Sequence, residues 1–135
     1  MNRRRSKKLS RRLVTAALLG RADEVRALLR SGADPGAADP DGTTPLYQAS
    51  VQGDAEIVRL LLAAGADPDT ESGHGSEGTP LCAAACWGHE AAVRALLAGG
   101  ADPSLREDGG TGLTPLEWAR RGPYPGTAAL LEAAR

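Results

Sequence analysis

The sequence is poor in large aromatic side chains, since its 135 residues include two tyrosines, two tryptophans and no phenylalanine. The core must therefore come from leucine, valine and alanine, which suit closely packed helices. No run approaches the ~20 apolar residues that a membrane-spanning helix needs, so we expect no membrane association. The two cysteines are too few to hold a secreted scaffold together, which predicts a reducing, cytoplasmic setting.

Positive charge is concentrated at the start of the chain. Residues 1–12 hold seven basic side chains and no acidic one, whereas residues 13–135 hold nine arginines against 17 acidic residues, a net charge of −8. We therefore expect a basic, disordered tail ahead of a single acidic domain. Frequent alanine and arginine with few lysines also suggest a GC-rich bacterial gene.

Sequence signals for chemistry are weak. Ser76 has no G-x-S-x-G turn around it and no base spaced to serve it as a nucleophile. Cys82 and Cys86, with His89 and His74, contain one i, i+4 pair and no second pair, which is a weak zinc signal against the usual four ligands. No glycine-rich loop opens a helix after a strand, which removes that route to phosphate binding. We therefore expect no catalytic residue, no cofactor and no metal.

Two short motifs recur with a period near 34 residues. T-P-L recurs at spacings of 35 and 35 residues, and G-A-D-P at spacings of 33 and 35. An apolar segment such as VRALLAGG lies between each T-P-L and the next G-A-D-P, which indicates an internal structural repeat. The copies are TTPL at 43–46, GTPL at 78–81, LTPL at 113–116, SGADP at 31–35, AGADP at 64–68 and GGADP at 99–103.

Each motif has a physical role in a pair of helices. Thr44, Thr79 and Thr114 are placed to cap a helix, and the proline that follows each one stands where a missing N–H costs nothing. Gly53 and Gly88 can then end that helix in the left-handed conformation. A second helix with apolar residues at helical spacing follows, and the segment before the next T-P-L, rich in Gly, Asp and Ser, predicts an extended turn.

This pattern resembles the ankyrin repeat, in which T-P-L opens the first helix and G-A-D closes the second. The resemblance covers residues 11 or 12 to 135 and implies an all-α solenoid of helix-turn-helix units joined by β-turn or hairpin tips. The last repeat departs from the pattern: Gly122 comes one place early, and GPYPGTAALLEAAR replaces the usual turn and second helix. We predict a domain over 13–135 with repeats at about 13–38, 39–71, 72–106 and 107–135.

The stretch from Ser10 to Val25 has two interpretations. Aligning Gly20 with Gly53 places Leu13 on Leu46, which makes the stretch a first repeat that lacks its own T-P. The alternative is a twin-arginine export signal. Its apolar run, 13–19, has only seven residues before charged residues begin, at the short limit for such a region.

The resemblance implies that a partner protein binds the concave groove and the turn tips of the stack. Trp87 is the first candidate contact, because large rings dominate many interfaces, although it can also be a tryptophan that covers only its own helix. Trp118 is expected in the core beside Ala83. The acidic body suggests a partner with a basic surface, and we expect a monomer. The other candidate contacts are Leu18, Leu19, Tyr47, Val51, Gln52, Cys86, Arg120 and Arg121 in the groove, and Pro40, Asp41, Thr43, Ser72, His74, Glu77, Asp108, Thr111 and Leu113 at the tips.

Three alternatives stay open. Residues 1–12 carry enough positive charge to bring the domain to DNA or RNA, although they have no aromatic side chain for base stacking and the acidic body repels nucleic acid. The same tail, folded back on the body, would be an autoinhibitory segment that a basic partner displaces. A short repeat protein of this kind also fits an immunity or inhibitor protein that covers the active site of an enzyme.

Overall fold

The computed structural model describes residues 2–134, which form helices joined by short turns. Within this range the only strand-like pairing is an isolated antiparallel bridge between Ser72 and Gly78. A 3₁₀ turn, Gly73–Gly75, lies in the same loop. The helices are α1 (Arg3–Leu18), α2 (Ala22–Arg30), α3 (Pro45–Gln52), α4 (Ala55–Ala63), α5 (Pro80–Cys86), α6 (Glu90–Ala98), α7 (Glu107–Gly110, a single turn), α8 (Pro115–Arg121) and α9 (Pro125–Ala133).

The helices pack as two layers. Helices α1, α3, α5 and α8 lie side by side as the inner layer, and α2, α4, α6 and α9 form the outer layer. Each inner helix also packs against the outer helix that follows it in the chain. This order confirms the predicted all-α solenoid, in which each repeat buries its apolar face against its neighbours.

Three inner helices begin as the T-P-L motif predicts. The hydroxyl oxygens of Thr44, Thr79 and Thr114 each accept a hydrogen bond at 3.2 Å from the backbone N–H three residues on. These bonds satisfy first-turn donors that would otherwise lack a partner, and proline follows each threonine at the first helical position. At Thr114 the carboxylate of Glu117 also accepts from the threonine backbone, which completes a capping box.

Glycine at the end of α3 lets the next repeat approach closely. Gly53 has a φ of +73°, and a Cβ at this position would lie 2.5 Å from Nδ1 of His89. The ring of His89 closes over Gly53, and its Nε2 donates to the carbonyl oxygen of Val51 at 2.9 Å. A larger residue at 53 would therefore be strained in its backbone and would collide with the third repeat.

The first helix is longer than predicted. Residues 3–12, which we expected in a disordered tail, form the first part of α1, whose start is capped by Asn2 through a 2.9 Å bond from the N–H of Arg5. Leu9 and Leu13 lie four residues apart and are both buried, so one face of this helix belongs to the core. Arginine, lysine and leucine are also good helix formers, which favours continuation of the helix toward the N-terminus.

The last repeat closes the stack with a different turn. Gly122 is extended, with a φ of −93° and a ψ of 170°, and a Cβ on it would meet the ring of Tyr124. The unusual segment after Gly122 still supplies a second helix, α9, which buries Leu131 in the core. Trp118 is half-buried at the edge of the core, where the sequence predicts an inward side chain.

Candidate partner-binding groove

A depression of about 360 Å³ lies where α3, α5 and α8 meet the turn tips. We call residues 34–43, 67–78 and 102–113 the first, second and third tips, and we call this depression the groove pocket. The second and third tips form one wall, and the exposed side of the inner layer forms the floor. Its lining residues are Tyr47, Ser76, Glu77, Cys82, Ala83, Cys86, Trp87, Glu107, Asp108 and Trp118.

The groove pocket brings together five of the residues that the sequence singles out as contacts. Tyr47 and Cys86 come from α3 and α5, Trp87 follows α5, and Glu77 and Asp108 come from the two tips. Val51 and Gln52 lie outside this lining, at the end of α3, where Val51 is half-buried and Gln52 is exposed. Their role as contacts stays a prediction.

Large exposed hydrophobic side chains occur only at predicted groove positions within residues 2–134. They are Leu18, Leu19 and Trp87, with 42%, 53% and 58% of their surfaces exposed. Each lies just before the glycine that ends an inner helix, as Val51 and Gln52 do in the second repeat. Three large apolar side chains thus stay exposed next to these glycines in the first and third repeats.

The first two tips are joined by a polar network that places Thr43 inside the protein. Thr43, which the sequence predicts at the surface, is buried, and its hydroxyl donates to Oε1 of Glu77 at 2.9 Å. The hydroxyl of Ser72 donates to the same oxygen at 2.8 Å and accepts from the N–H of Thr44 at 3.0 Å. Thr43 therefore positions Glu77 and offers no surface to a partner.

The remaining tip candidates are spread along the edge of the stack. Asp41, His74 and Thr111 are exposed, whereas Leu113 is half-buried and its carbonyl oxygen accepts a 3.6 Å bond from the Cys82 thiol. His74 has a φ of +56°, and its ring lies against Gly42 of the first tip. Pro40 is also exposed. All of these residues can be reached by a partner that contacts the tips, but they lie outside the groove pocket.

The two arginines at the end of α8 have different surroundings. Arg120 pairs with Glu132 of α9 and faces a separate depression at the end of the stack, beside Leu131. The guanidinium carbon of Arg121 lies 6.0 Å from the centroid of the Trp118 ring. Of the two predicted contacts, only Arg121 therefore approaches the groove pocket.

Glu107 also lines the groove pocket, although the sequence pattern does not single it out. Its carboxylate accepts a hydrogen bond from Nε1 of Trp118 and faces the groove pocket. The pKa of Glu107 is raised, chiefly because partial burial penalises its charge; the bond from Trp118 opposes this effect, and the nearby charges of Asp108 and Glu71 add to it. The third tip thus holds a carboxylate in the groove that takes part in none of the ion pairs found within residues 2–134.

Two of the thiols and imidazoles in this region, those of Cys82 and His89, bond to the backbone of neighbouring repeats. Burial raises the pKa of the Cys82 thiol to about 12, so this buried thiol stays protonated and unreactive at neutral pH. Burial also raises the pKa of Cys86. His89 is committed to Val51, and residues 2–134 contain no group of three or more His, Cys, Asp or Glu side chains arranged to hold a metal ion.

Comparison with protein families agrees with the stacked helix pairs. A model for ankyrin repeats in three copies matches residues 11–72, and a model for a single ankyrin repeat matches residues 77–108. The chain belongs to the ankyrin-repeat family. Ankyrin repeats are general modules of protein–protein interaction, and proteins built from them are typically not enzymes. No curated protein matches this ankyrin chain significantly.

Across residues 2–134, none of its helices is both long enough and apolar enough to cross a membrane.

Proposed function

We propose that this ankyrin-repeat protein binds a partner protein through its concave groove and its second and third tips. The observation that carries the proposal is the position of the exposed hydrophobic side chains: Leu18, Leu19 and Trp87 all lie at the ends of inner helices, on either side of the second repeat. Exposed leucine and tryptophan side chains gain apolar burial when a partner covers them, and interfaces favour tryptophan strongly.

The proposed partner is a folded or extended protein with a basic surface. The groove pocket is lined by Glu77, Glu107 and Asp108, and residues 13–135 carry a net charge of −8. Such a charge speeds the encounter with a basic partner more than it tightens the final complex. We further propose that the protein acts as a monomeric, non-catalytic binding module in the cytoplasm, where the free thiols of Cys82 and Cys86 stay reduced. An inhibitor that covers the active site of an enzyme is one form of this function.

The test is capture of a partner from native lysate by the wild type and by Trp87→Ala, with nuclease present. Because Trp87 is mostly exposed, the substitution should leave the fold intact and reduce capture roughly tenfold or more. Arg59→Ala, which changes an exposed residue of the outer helix α4, is the matched control and should capture as the wild type does. Equal capture by the wild type and Trp87→Ala would move the interface away from the groove.

A second candidate function rests on α1. The seven basic side chains of residues 1–12 are all exposed on one continuous helix, a form suited to neutralising a row of phosphates. If nucleic acid is the partner, affinity for a DNA or RNA duplex should fall steeply between 50 and 200 mM salt, roughly 10³-fold or more when six or more phosphates are neutralised. A shallow salt dependence, or retention by a variant with these residues neutralised, would exclude this function.

A further inference from the structure

The groove pocket combines aromatic rings with carboxylates, and the following inference rests on the proposed function. Tyr47, Trp87 and Trp118 come from three successive repeats and line the same depression. Trp87 is exposed and the other two rings are half-buried, so parts of all three remain accessible from the groove. The face of an aromatic ring carries partial negative charge and attracts cations.

The chain itself already places one cation in this region. The guanidinium of Arg121 lies over the ring of Trp118, with 6.0 Å between its central carbon and the ring centroid. Among the described residues this is the only cation found over an aromatic ring, so Tyr47 and Trp87 have no such neighbour. One guanidinium thus lies near a ring that lines the groove pocket, and the two other rings are left for a cation from outside.

The carboxylates of the groove pocket are held by neutral donors. Glu77 accepts from the hydroxyls of Thr43 and Ser72, and Glu107 accepts from the indole of Trp118. None of the ion pairs within residues 2–134 includes Glu77, Glu107 or Asp108. No ion pair among the described residues therefore neutralises the charge that partly buried Glu107 brings to the groove, which agrees with its raised pKa.

We propose that the groove pocket holds the guanidinium of an arginine that projects from a basic segment of the partner protein. Its plane would stack against the rings of Tyr47 and Trp87, and its N–H groups would donate to the carboxylates of Glu107 and Asp108. Arginine suits these walls better than lysine because its planar group is more weakly hydrated and stacks on aromatic faces while forming two parallel hydrogen bonds.

The chain's own basic helix is a poor occupant of the groove pocket. Helix α1 packs against α2 and α3, and Leu9 and Leu13 fix it there, whereas the groove pocket is built on α3, α5 and α8. The basic residues of α1 cannot fold back over the pocket while this helix is formed. The arginines of α1 are therefore not the proposed occupant of the groove pocket.

Nuclear magnetic resonance can detect even weak binding in the groove pocket. The sequence contains two tryptophans, and both line the pocket, so the two indole N–H signals report on it directly. The probe is the capped peptide Gly-Ser-Arg-Ser-Gly, with matched peptides in which lysine or neutral citrulline replaces arginine. We expect saturable shifts of both indole signals with the arginine peptide, weaker shifts with lysine and none with citrulline.

Glu107→Gln removes the charge while its amide oxygen can still accept from Trp118. We expect this variant to bind the arginine peptide and the captured partner roughly tenfold more weakly, since a hydrogen bond to a charged group is lost. Glu56→Gln, which removes the same charge from the exposed start of α4, should bind as the wild type does. Trp87→Ala provides a second variant of the groove pocket, and it should fold normally because Trp87 is mostly exposed.

The outcomes separate this inference from the proposed function. Indole shifts that are absent, or that are equal for the arginine and citrulline peptides, would overturn the arginine site. Equal shifts for lysine would overturn the preference for a guanidinium. Indole shifts that grow with protein concentration in the absence of peptide would instead make a second copy of the chain the occupant. If a partner is captured by the wild type, lost by Trp87→Ala and retained by Glu107→Gln, the groove function stands and the arginine site falls. If Trp87→Ala loses no partner, the groove function itself fails.

Discussion

The second and third tips share a backbone conformation but carry different side chains at an equivalent position. In both tips an N–H bonds back to the carbonyl six residues on, from Ser72 to Gly78 at 2.9 Å and from Glu107 to Leu113 at 3.2 Å. Three successive residues then have positive φ angles in each tip, at 73–75 and at 108–110. Ser72 and Glu107 thus occupy equivalent positions, 35 residues apart.

The difference between these two positions separates the needs of the fold from those of the proposed function. Ser72 is fully buried and connects the N–H of Thr44 to the carboxylate of Glu77. Glu107 is partly exposed, faces the groove pocket and bonds to Trp118. A small hydroxyl occupies this position in the second tip, so the shared backbone does not itself require a carboxylate there, whereas Glu107 bonds to Trp118 and faces the groove pocket.

The largest effect should come from removing the buried hydroxyl. Ser72→Ala leaves the N–H of Thr44 without its acceptor in a buried position and should lower the free energy of unfolding by about 2 kcal/mol. Glu107→Ala, at the equivalent position, should cost less than about 1 kcal/mol, because water can reach the freed indole. Urea denaturation of both variants measures the contrast. Equal losses would mean that the two tips are equivalent in stability as well as in backbone.

An intermediate effect is expected for the bond between Trp118 and the third tip. Trp118→Phe keeps a ring in place but removes the Nε1 donor, which should lower the free energy of unfolding by about 1 kcal/mol. Thermal and urea denaturation would measure the loss. In a Glu107→Gln background the acceptor is neutral, so the same substitution should cost less; an unchanged cost would show that the bond contributes nothing.

The smallest effect concerns pH. The pKa of Glu107 is higher in the folded protein than in the unfolded chain, so its protonated form stabilises the fold. This stabilisation is complete at a pH below the pKa of the unfolded chain, and it is lost as the pH rises through the pKa of the folded protein. Glu107→Gln should therefore match the wild type in acid and be slightly more stable than it at neutral pH. The groups that face this carboxylate are Glu71, Asp108, Tyr47, Trp118 and the two thiols. Urea denaturation of the wild type and Glu107→Gln, in acid and at neutral pH, measures this difference in stability. A variant that is less stable than the wild type at neutral pH would contradict the prediction.

The repeat architecture could be predicted from the sequence because its signals are local. A threonine followed by proline fixes the start of an inner helix, and a glycine fixes its end, whatever the neighbouring repeats contain. The helix over residues 3–12 escaped prediction because no such motif marks its start. The available signal was Leu9, four residues before Leu13, which places both on the face that packs against the second repeat.

The groove pocket could be predicted only in part because it depends on contacts between repeats. The position of Trp87 follows from the pattern of one repeat, whereas the burial of Thr43 depends on Ser72 and Glu77 in the next one. Trp118 was expected in the core, but its indole N–H bonds to a tip eleven residues earlier, which leaves the ring half-buried. Comparing Ser72 with Glu107 along the repeat register would have drawn attention to this carboxylate.

Site-specific crosslinking in living cells tests most directly whether the groove is the working surface. A benzophenone amino acid would replace Trp87 in one variant and Arg59, on the outer helix α4, in another. If the groove binds the partner, irradiation should give a discrete protein adduct from position 87 and none from position 59. An adduct from position 59 alone, or equal adducts from both, would contradict binding through the groove.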